Sequence, residues 1–598
     1  MSQRQRRAKA KRRRHGQPAD APARPRRPGL RTATLSGGLA ATAAVGLAAG
    51  AETASAATFD AAQVKDINSG ADGSLASQLT NVGGTVFFQA TDGANGAELW
   101  KSDGTTAGTM LVNDIRSGAA GSNPVALTNV GGTLFFSAND ATNGRELWKS
   151  DGTTAGTQLV KDIRSGTDGS YPYPFVNVNG TLFFAANDGT TGNELWKSDG
   201  TTAGTVQVKD IQTGAYGGDP IHLTNVDGTL FFNADDGAYG YELWKSDGTA
   251  AGTMLVKDIR SGGYGSDPRY LTNVSGTLLF QANDGTAGFE LWKSDGTTAG
   301  TTLVKDIKSG AAGSYPQFLT NVNGTLFFRA NDGTNGYELW KSDGTTAGTV
   351  LVKDIQSGAA SSTDLYLTDV SGTLFFRAND GTSGDELWKS DGTTAGTTLV
   401  KDIQSGVTGS YLGYLTNVSG TLFFSANDGS IGYELWNSDG TTAGTTLVKD
   451  IQSGANGSYP QKLANVSGTL FFRANDGTTG SELWKAFEVV QPPPGGGGEQ
   501  PGPGGEQPGD TTPPDTQITK HPKDKTKKKT ATFEFTSTEA GSTFECKLDD
   551  GPFQACTSPD TLKVKKGKHS FEVRAKDVAG NVDPTPASDS WKVKKKKK

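Results

Sequence analysis

The sequence is poor in the residues that most catalytic and metal chemistry needs: its 598 residues include 2 Cys and 4 His. Zinc sites and Cys or Ser/His catalysis each gather several such side chains, so this scarcity argues against both before any motif is sought. Helical periodicity is lacking. No stretch reaches the ~20 apolar residues that a membrane span needs. A Gly-X-Y period is also missing, so the 82 Gly are not those of a collagen. Glycine in that number favours a turn-rich, all-β architecture instead, in a chain long enough for several domains.

The formal charge of −6 averages unlike segments. Residues 1–57 carry +10 and residues 515–598 carry +7, which leaves −23 between them. The N-terminus has the layout of a targeting segment. A basic stretch from Arg4 to Arg31 precedes a weakly apolar run from Leu35 to Ala49, then Ala54-Ser55-Ala56, a small-x-small cleavage pattern. Arg26-Arg27 with Leu30 resembles a twin-arginine signal, from which Pro28 and Gly29 depart, so the export route stays open. A basic nucleic-acid-binding tail is the alternative. The cleavage pattern directly before the first repeat favours export, with a signal peptide over 1–57, no nucleic-acid partner and no transmembrane span in the mature protein.

Tryptophan exposes the architecture. Trp100, Trp148, Trp196, Trp244, Trp292, Trp340, Trp388, Trp436 and Trp484 follow one another at a spacing of 48 residues. A period near 40 to 50 marks repeated supersecondary units that bury their faces against neighbours. One unit reads as four strands: Leu319 to Val322, Thr325 to Ala330, Tyr337 to Ser342 and Val350 to Ile355, separated by Asn-Gly and Asp-Gly turns. Such units suit a repeat β-propeller over residues 58–490 with about nine four-stranded blades, in which a first strand at Gln63 to Ile67 completes the last sheet. Nine exceeds the usual four to eight, so an open β-solenoid array is the alternative.

The block Glu338-Leu339-Trp340-Lys341-Ser342-Asp343-Gly344-Thr345, followed by Ala347-Gly348-Thr349, resembles the ELWxxDGT repeat family of bacterial exported proteins, also labelled hyalin-like. The resemblance covers about residues 59–487 and implies a secreted or surface repeat protein with no assigned reaction. The ninth copy departs from the pattern, running from Trp484 into Lys485-Ala486-Phe487.

Each unit repeats four acids, exemplified by Asp332, Glu338, Asp343 and Asp354. Asp332 and Asp343 sit beside Gly in turns, where Asx-type hydrogen bonds are their expected use. Calcium is the alternative, since oxygen-rich loops suit a hard cation, although the spacing matches no EF-hand. Glu338 is expected to be held by strand Lys or backbone groups. A glycosidase pair should be singular, whereas these acids recur in every unit, so no enzyme, no catalytic residue, no metal site and no cofactor is expected.

The copies differ mainly in two loops, the one entering the first strand and the one between the second and third. In a propeller both emerge on one face, with the DGTTAGT turns opposite. Aromatic and polar side chains vary there, and the candidate ligand-binding residues are Tyr173, His222, Tyr239, Tyr270, Phe318, Tyr366 and Tyr414. Tyr-rich surfaces on rigid scaffolds are common recognition sites, and the expected partner is an extracellular glycan or protein. Drift in unconstrained loops is the plainer account of the same variation.

Residues 491–514 are a Pro/Gly-rich linker. Beyond it, in residues 515–598, strands are expected at Thr532 to Thr536, Ser542 to Leu548, Leu562 to Val564, His569 to Ala575 and Ser588 to Val593. Cys546 and Cys556 flank Asp549-Asp550-Gly551, so a hairpin would bring them into a disulfide, favoured by export. Glu539-Ala540-Gly541-Ser542-Thr543-Phe544-Glu545-Cys546 and Arg574-Ala575-Lys576-Asp577-Val578-Ala579-Gly580-Asn581 resemble bacterial Ig-like domains, which implies a β-sandwich used as a spacer or adhesion module. Lys527 to Lys529, Lys563 to Lys568 and the tail Lys594 to Lys598 make this domain basic. They are read either as a solvated charge run or as a docking surface for an anionic cell-wall polymer or lipid headgroups.

The sequence therefore predicts an exported, non-enzymatic binding or adhesion protein, secreted or attached to the cell surface. A purely structural surface protein is the alternative, and an extracellular hydrolase comes third.

Overall fold

A computed structural model describes residues 57–362, 366–489, 513–523, 525–526, 528–539, 542–549, 551–576 and 581–594. The expected signal peptide, most of the linker and residues 595–598 of the Lys tail lie outside the described residues. Among those described there is no helix, and so none able to cross a membrane.

From Thr58 to Val489 the chain forms 36 strands in nine four-stranded antiparallel sheets. β1 (Thr58–Lys65) is followed by β2 (Ser77–Val82), β3 (Thr85–Thr91), β4 (Ala97–Ser102) and β5 (Met110–Asn113). β2 to β5 build one sheet in chain order, and seven further sheets repeat it. The unit read above has strands Gln317–Val322, Thr325–Asn331, Tyr337–Ser342 and Val350–Lys353, within two residues of expectation. The ninth sheet takes Gln461–Val466, Thr469–Asn475 and Ser481–Val489 from the end of the array and β1 from its beginning. β1 starts five residues earlier than the sequence suggested, because the last strand is long enough to extend the register from Trp484 opposite Gln63 to Val489 opposite Thr58.

Alternation across a strand explains why Leu, Phe and Trp lie on both faces of the middle strands. Phe327 and Leu339 of the sixth sheet join Leu374, Phe376 and Trp388 of the seventh in one core. Phe328 and Trp340 face the other way, into the core shared with Val274 and Leu291 of the fifth sheet. Each such buried side chain contributes roughly 1.5–3 kcal/mol. First strands of successive sheets touch, and β2 touches Gln461–Val466 in the same way. Phe88 and Trp100 share a core with Val466, Phe471 and Leu483, so the first and ninth sheets are neighbours. An open array would leave those two sheets without that partner. The architecture is β-propeller-like.

Every third strand also carries a fully buried Glu that organises the connection to the next sheet. The Glu290 carboxylate accepts the Ile307 (3.0 Å), Lys308 (3.2 Å) and Ser314 (2.8 Å) amides and the Ser314 hydroxyl (2.6 Å). Burial pushes this carboxyl up to about 7, while the donated hydrogen bonds pull the other way. The repeated Lys residues do not hold these acids. Lys293 donates to the Gly344 carbonyl (2.9 Å) and Lys305 to that of Thr349 (2.7 Å), both in the following unit. The Lys305 ammonium also lies 5.9 Å from the Trp340 ring centroid, a cation–π contact between sheets.

The C-terminal domain has a three-stranded sheet (Thr516–Lys520, Thr530–Ser537, Asp560–Lys563) and a five-stranded one (Lys525–Thr526, Ala587–Val593, Gly567–Lys576, Thr543–Leu548, Gln554–Cys556). Phe533 and Phe535 of the first share a core with Phe571, Val573 and Trp591 of the second. The five expected strands are present, and Thr516–Lys520, Lys525–Thr526 and Gln554–Cys556 are additional. The Cys546–Cys556 disulfide is formed. It runs diagonally across the hairpin, since Cys546 pairs with Gln554 and Cys556 with Phe544.

Candidate functional site

The two variable loops lie side by side. The carbonyl of Tyr241, which opens a third strand, accepts the Asp267 amide of the next lead-in loop (2.9 Å), and Tyr433 accepts that of Tyr459 in the same way (3.0 Å). Turns between third and fourth strands leave from the other end of each sheet.

Seven of the nine first strands open with a β-bulge. Between Ile221 and Thr224, for example, the register opposite Asn233 and Phe231 slips by one residue. The residue after the bulge's first partner has a left-handed backbone, whatever its side chain: Gln78, Ala126, His222, Tyr270, Phe318, Tyr414 and Lys462 have φ between 54° and 59°. Bulky non-glycine residues rarely adopt such φ values, and bulges commonly re-aim a side chain. The backbone device is constant and the side chain on it changes from sheet to sheet. The third and seventh sheets depart: their first strands shorten to Val176–Val178 and Thr368–Val370, and in the third the ring of Pro174 at this position fixes φ at about −65° and so excludes the left-handed backbone.

Two clefts form where these bulges meet on neighbouring sheets. One, of 310 Å³, is lined by Tyr411, Gly413, Tyr414, Ser425, Tyr433, Tyr459, Pro460 and Gln461. Tyr433 and Tyr459 stack there with ring centroids 5.4 Å apart. The other, of 440 Å³, includes His222, Asp267, Arg269 and Tyr270. Arg269 pairs with Asp267 at 2.5 Å, and burial together with Arg269 holds the His222 pKa below its ordinary value, so the ring is neutral at pH 7.

The structure thus brings some of the candidate residues together. His222 and Tyr270 share one cleft, and Tyr270 meets Phe318 with ring centroids 6.4 Å apart. Tyr414 belongs to the other cleft. Tyr366 lies against the Arg377 guanidinium, 4.8 Å from its ring centroid. Tyr173 and Tyr239 are exposed and line neither cleft. Tyr411, Tyr433, Tyr459 and Arg269 join the site from the same variable loops. Arg377 comes from a strand position occupied elsewhere by Gln89, Ser137, Ala185, Asn233, Gln281, Arg329, Ser425 and Arg473. That variation inside an otherwise repeated TLFF-x-A strand was the available signal. Its side chains reach the next lead-in loop: Gln281 donates to the Pro316 carbonyl (2.8 Å) and Asn233 to that of Pro268 (3.2 Å).

The repeated turn acids are occupied locally. Asp332 Oδ1 accepts the Thr334 and Asn335 amides (both 2.8 Å), and Asp343 Oδ1 accepts the Thr345 amide (2.8 Å) and hydroxyl (2.7 Å). Burial would raise the Asp332 pKa, but these bonds hold it below the usual carboxylate range. Among the described residues, no three His, Cys, Asp or Glu side chains gather where they could hold a metal ion.

No family model matches the chain, and neither does any curated protein. Among solved structures, the extracellular domain of a one-component system from B. thetaiotaomicron is similar at 12% identity and a TM-score of 0.32, over 86% of this chain and 74% of that one. A puromycin-hydrolyzing peptidase of Mycobacterium tuberculosis is similar at 12% identity and a TM-score of 0.33, over 59% of this chain and 58% of that one. At these scores neither likeness carries a fold assignment or an activity to this chain.

Proposed function

We propose that the protein is an exported, non-enzymatic binding protein, in which a closed nine-bladed β-propeller presents its variable face to an extracellular glycan. The observation that carries this reading is the 310 Å³ cleft of four tyrosines. Its volume falls within the usual range for small-ligand sites, roughly 300–1,000 Å³. Tyr411, Tyr414, Tyr433 and Tyr459 offer flat apolar rings with hydroxyl tips, and Ser425 and Gln461 add neutral hydrogen-bonding groups. With no charged residue in its lining, the cleft suits a neutral polyhydroxyl ligand that stacks a sugar face on a ring and hydrogen-bonds at its edge.

Export is supported by the basic N-terminal segment with its cleavage pattern, by the disulfide and by the resemblance to ELWxxDGT proteins. The C-terminal domain, with its resemblance to Ig-like modules, then serves as a spacer. A glycan array probed with the native protein and with Tyr173→Ala, Tyr270→Ala, Tyr414→Ala and Tyr459→Ala variants tests the reading. Tyr414→Ala and Tyr459→Ala should lose the bound glycan, while Tyr173→Ala keeps it. Retention by all four variants, or capture of a protein ligand with no glycan bound, would overturn it.

A further inference from the structure

The C-terminal domain carries a row of lysines with no ion-pair partner among the described residues. On the outer face of the five-stranded sheet, Lys568 stands opposite Lys592, and Lys592 in turn is in register with Lys525. Register partners share a sheet face and adjacent strands lie about 4.8 Å apart, so the three side chains form one line across three strands. All three are exposed. Like charges placed directly opposite one another destabilise a sheet.

Two other cations of the same face are paired. Lys547 meets Glu572 at 3.1 Å, and Arg574 meets Glu545 at 2.6 Å. No ion pair reaches Lys525, Lys568 or Lys592 among the described residues. Two residues along from the row, Ser570 stands opposite Ser590. With Lys568, His569 and Asp549 these serines line an open depression of 460 Å³, in which the Asp549 carboxylate is taken up by the His569 ring (2.8 Å) and the Ser570 amide (2.9 Å).

We propose that Lys525, Lys592 and Lys568, with the Ser570 and Ser590 hydroxyls, bind a linear phosphodiester polymer of the cell wall. Ammonium groups give charge-assisted hydrogen bonds to phosphate oxygens, and serine hydroxyls can donate to the same oxygens. A row favours a chain over a single anion, because each cation engaged releases a counterion condensed on the polymer. No large hydrophobic side chain is exposed among the described residues of this domain. The half-buried Phe553 ring is covered by Arg574 (4.2 Å to its centroid), which leaves the row little to bury in a lipid interface or to stack on nucleic-acid bases.

The test uses the full-length protein and purified poly(glycerol phosphate), with affinity measured across a salt series. A Lys525→Gln/Lys568→Gln/Lys592→Gln variant is compared with a Lys563→Gln/Lys565→Gln/Lys566→Gln variant of equal charge change. The row variant should lose about ten-fold or more in affinity, and its log affinity against log salt slope should fall by about 2, at ~0.7 per cation engaged. The control variant should stay near the native value. Relief of like-charge repulsion should leave the row variant's unfolding midpoint at or above native, which separates lost binding from lost fold. Equal losses in both variants, no loss in the row variant, or equally tight binding to glycerol phosphate, anionic phospholipid vesicles or single-stranded DNA would each overturn the proposal.

Discussion

The Glu482 carboxylate accepts both the amide (2.8 Å) and the hydroxyl (2.6 Å) of Ser74, a residue 408 positions earlier in the chain. The same carboxylate takes the Ile67 (3.2 Å) and Asn68 (3.1 Å) amides. Elsewhere in the array this clamp is local, as for Glu290 and Ser314. At the ninth sheet the repeat's ordinary device ties the two ends of the array together. Gly73 completes the junction: a Cβ there would lie 2.2 Å from the Ser481 amide nitrogen, and its φ of +64° favours glycine.

Glu482→Gln should therefore loosen the junction. At pH 8 an amide nitrogen would replace an oxygen that accepts two hydrogen bonds, turning acceptors into a clash of donors. Leaving such buried groups unsatisfied costs about 1–3 kcal/mol. Denaturant unfolding should show that loss, and limited trypsin digestion should cut after Lys65 sooner than in the native protein.

β1 should also hold the array through Phe59, which meets Phe423 of the eighth sheet edge-on with ring centroids 4.9 Å apart. Phe59 is half-buried, so Phe59→Ala should cost about 1–2 kcal/mol rather than the larger loss of a core Phe. An unchanged unfolding midpoint would show that β1 is not held by this contact.

Asp332→Ala should lower stability by about 1 kcal/mol through loss of its turn hydrogen bonds. Because those oxygens already serve the turn, adding calcium to the native protein should release no heat in calorimetric titration and leave the melting temperature where it was. A calcium-dependent rise in melting temperature would restore the metal reading of these acids.

Much of this was legible because the 48-residue Trp spacing imposes one strand pattern nine times, and an unbroken apolar run such as Leu326-Phe327-Phe328 bounded by turns suits a strand buried on both faces. The face carrying Tyr270 and Tyr414 was legible from disagreement between copies. Their left-handed backbones were not, since Tyr, Phe and His give no residue-level sign of positive φ. Tyr173 and Tyr239 stand apart from the clefts for a related reason: loop variability locates a face, while a cleft depends on which bulges meet across a sheet boundary. The Lys525–Lys592–Lys568 row was hidden because its members come from three segments and align only through strand register. The lysine runs visible in the sequence include Lys568 but neither Lys525 nor Lys592.

The C-terminal domain should be more stable in mild acid than in mild base, through His569. Its Nδ1 lies 2.8 Å from an Asp549 carboxylate oxygen and its Nε2 2.9 Å from the Lys565 carbonyl oxygen. Both partners are acceptors, so the doubly protonated ring fits the site best. Burial would lower the pKa, but these hydrogen bonds and the Asp549 charge raise it above the ordinary 6.5. The fold therefore binds a proton that the unfolded chain releases first, and the stabilisation is fully present below the unfolded pKa and lost as pH rises through the folded one. Denaturant midpoints for this domain, followed by the residue-resolved NMR indole resonance of Trp591 in the full chain, should fall between pH 6 and pH 8. His569→Gln should flatten that dependence, and Asp549→Asn should reduce it while leaving the Lys565 contact in place. A midpoint that rises with pH, or that keeps its native dependence in His569→Gln, would show that the charged ring does not stabilise the domain.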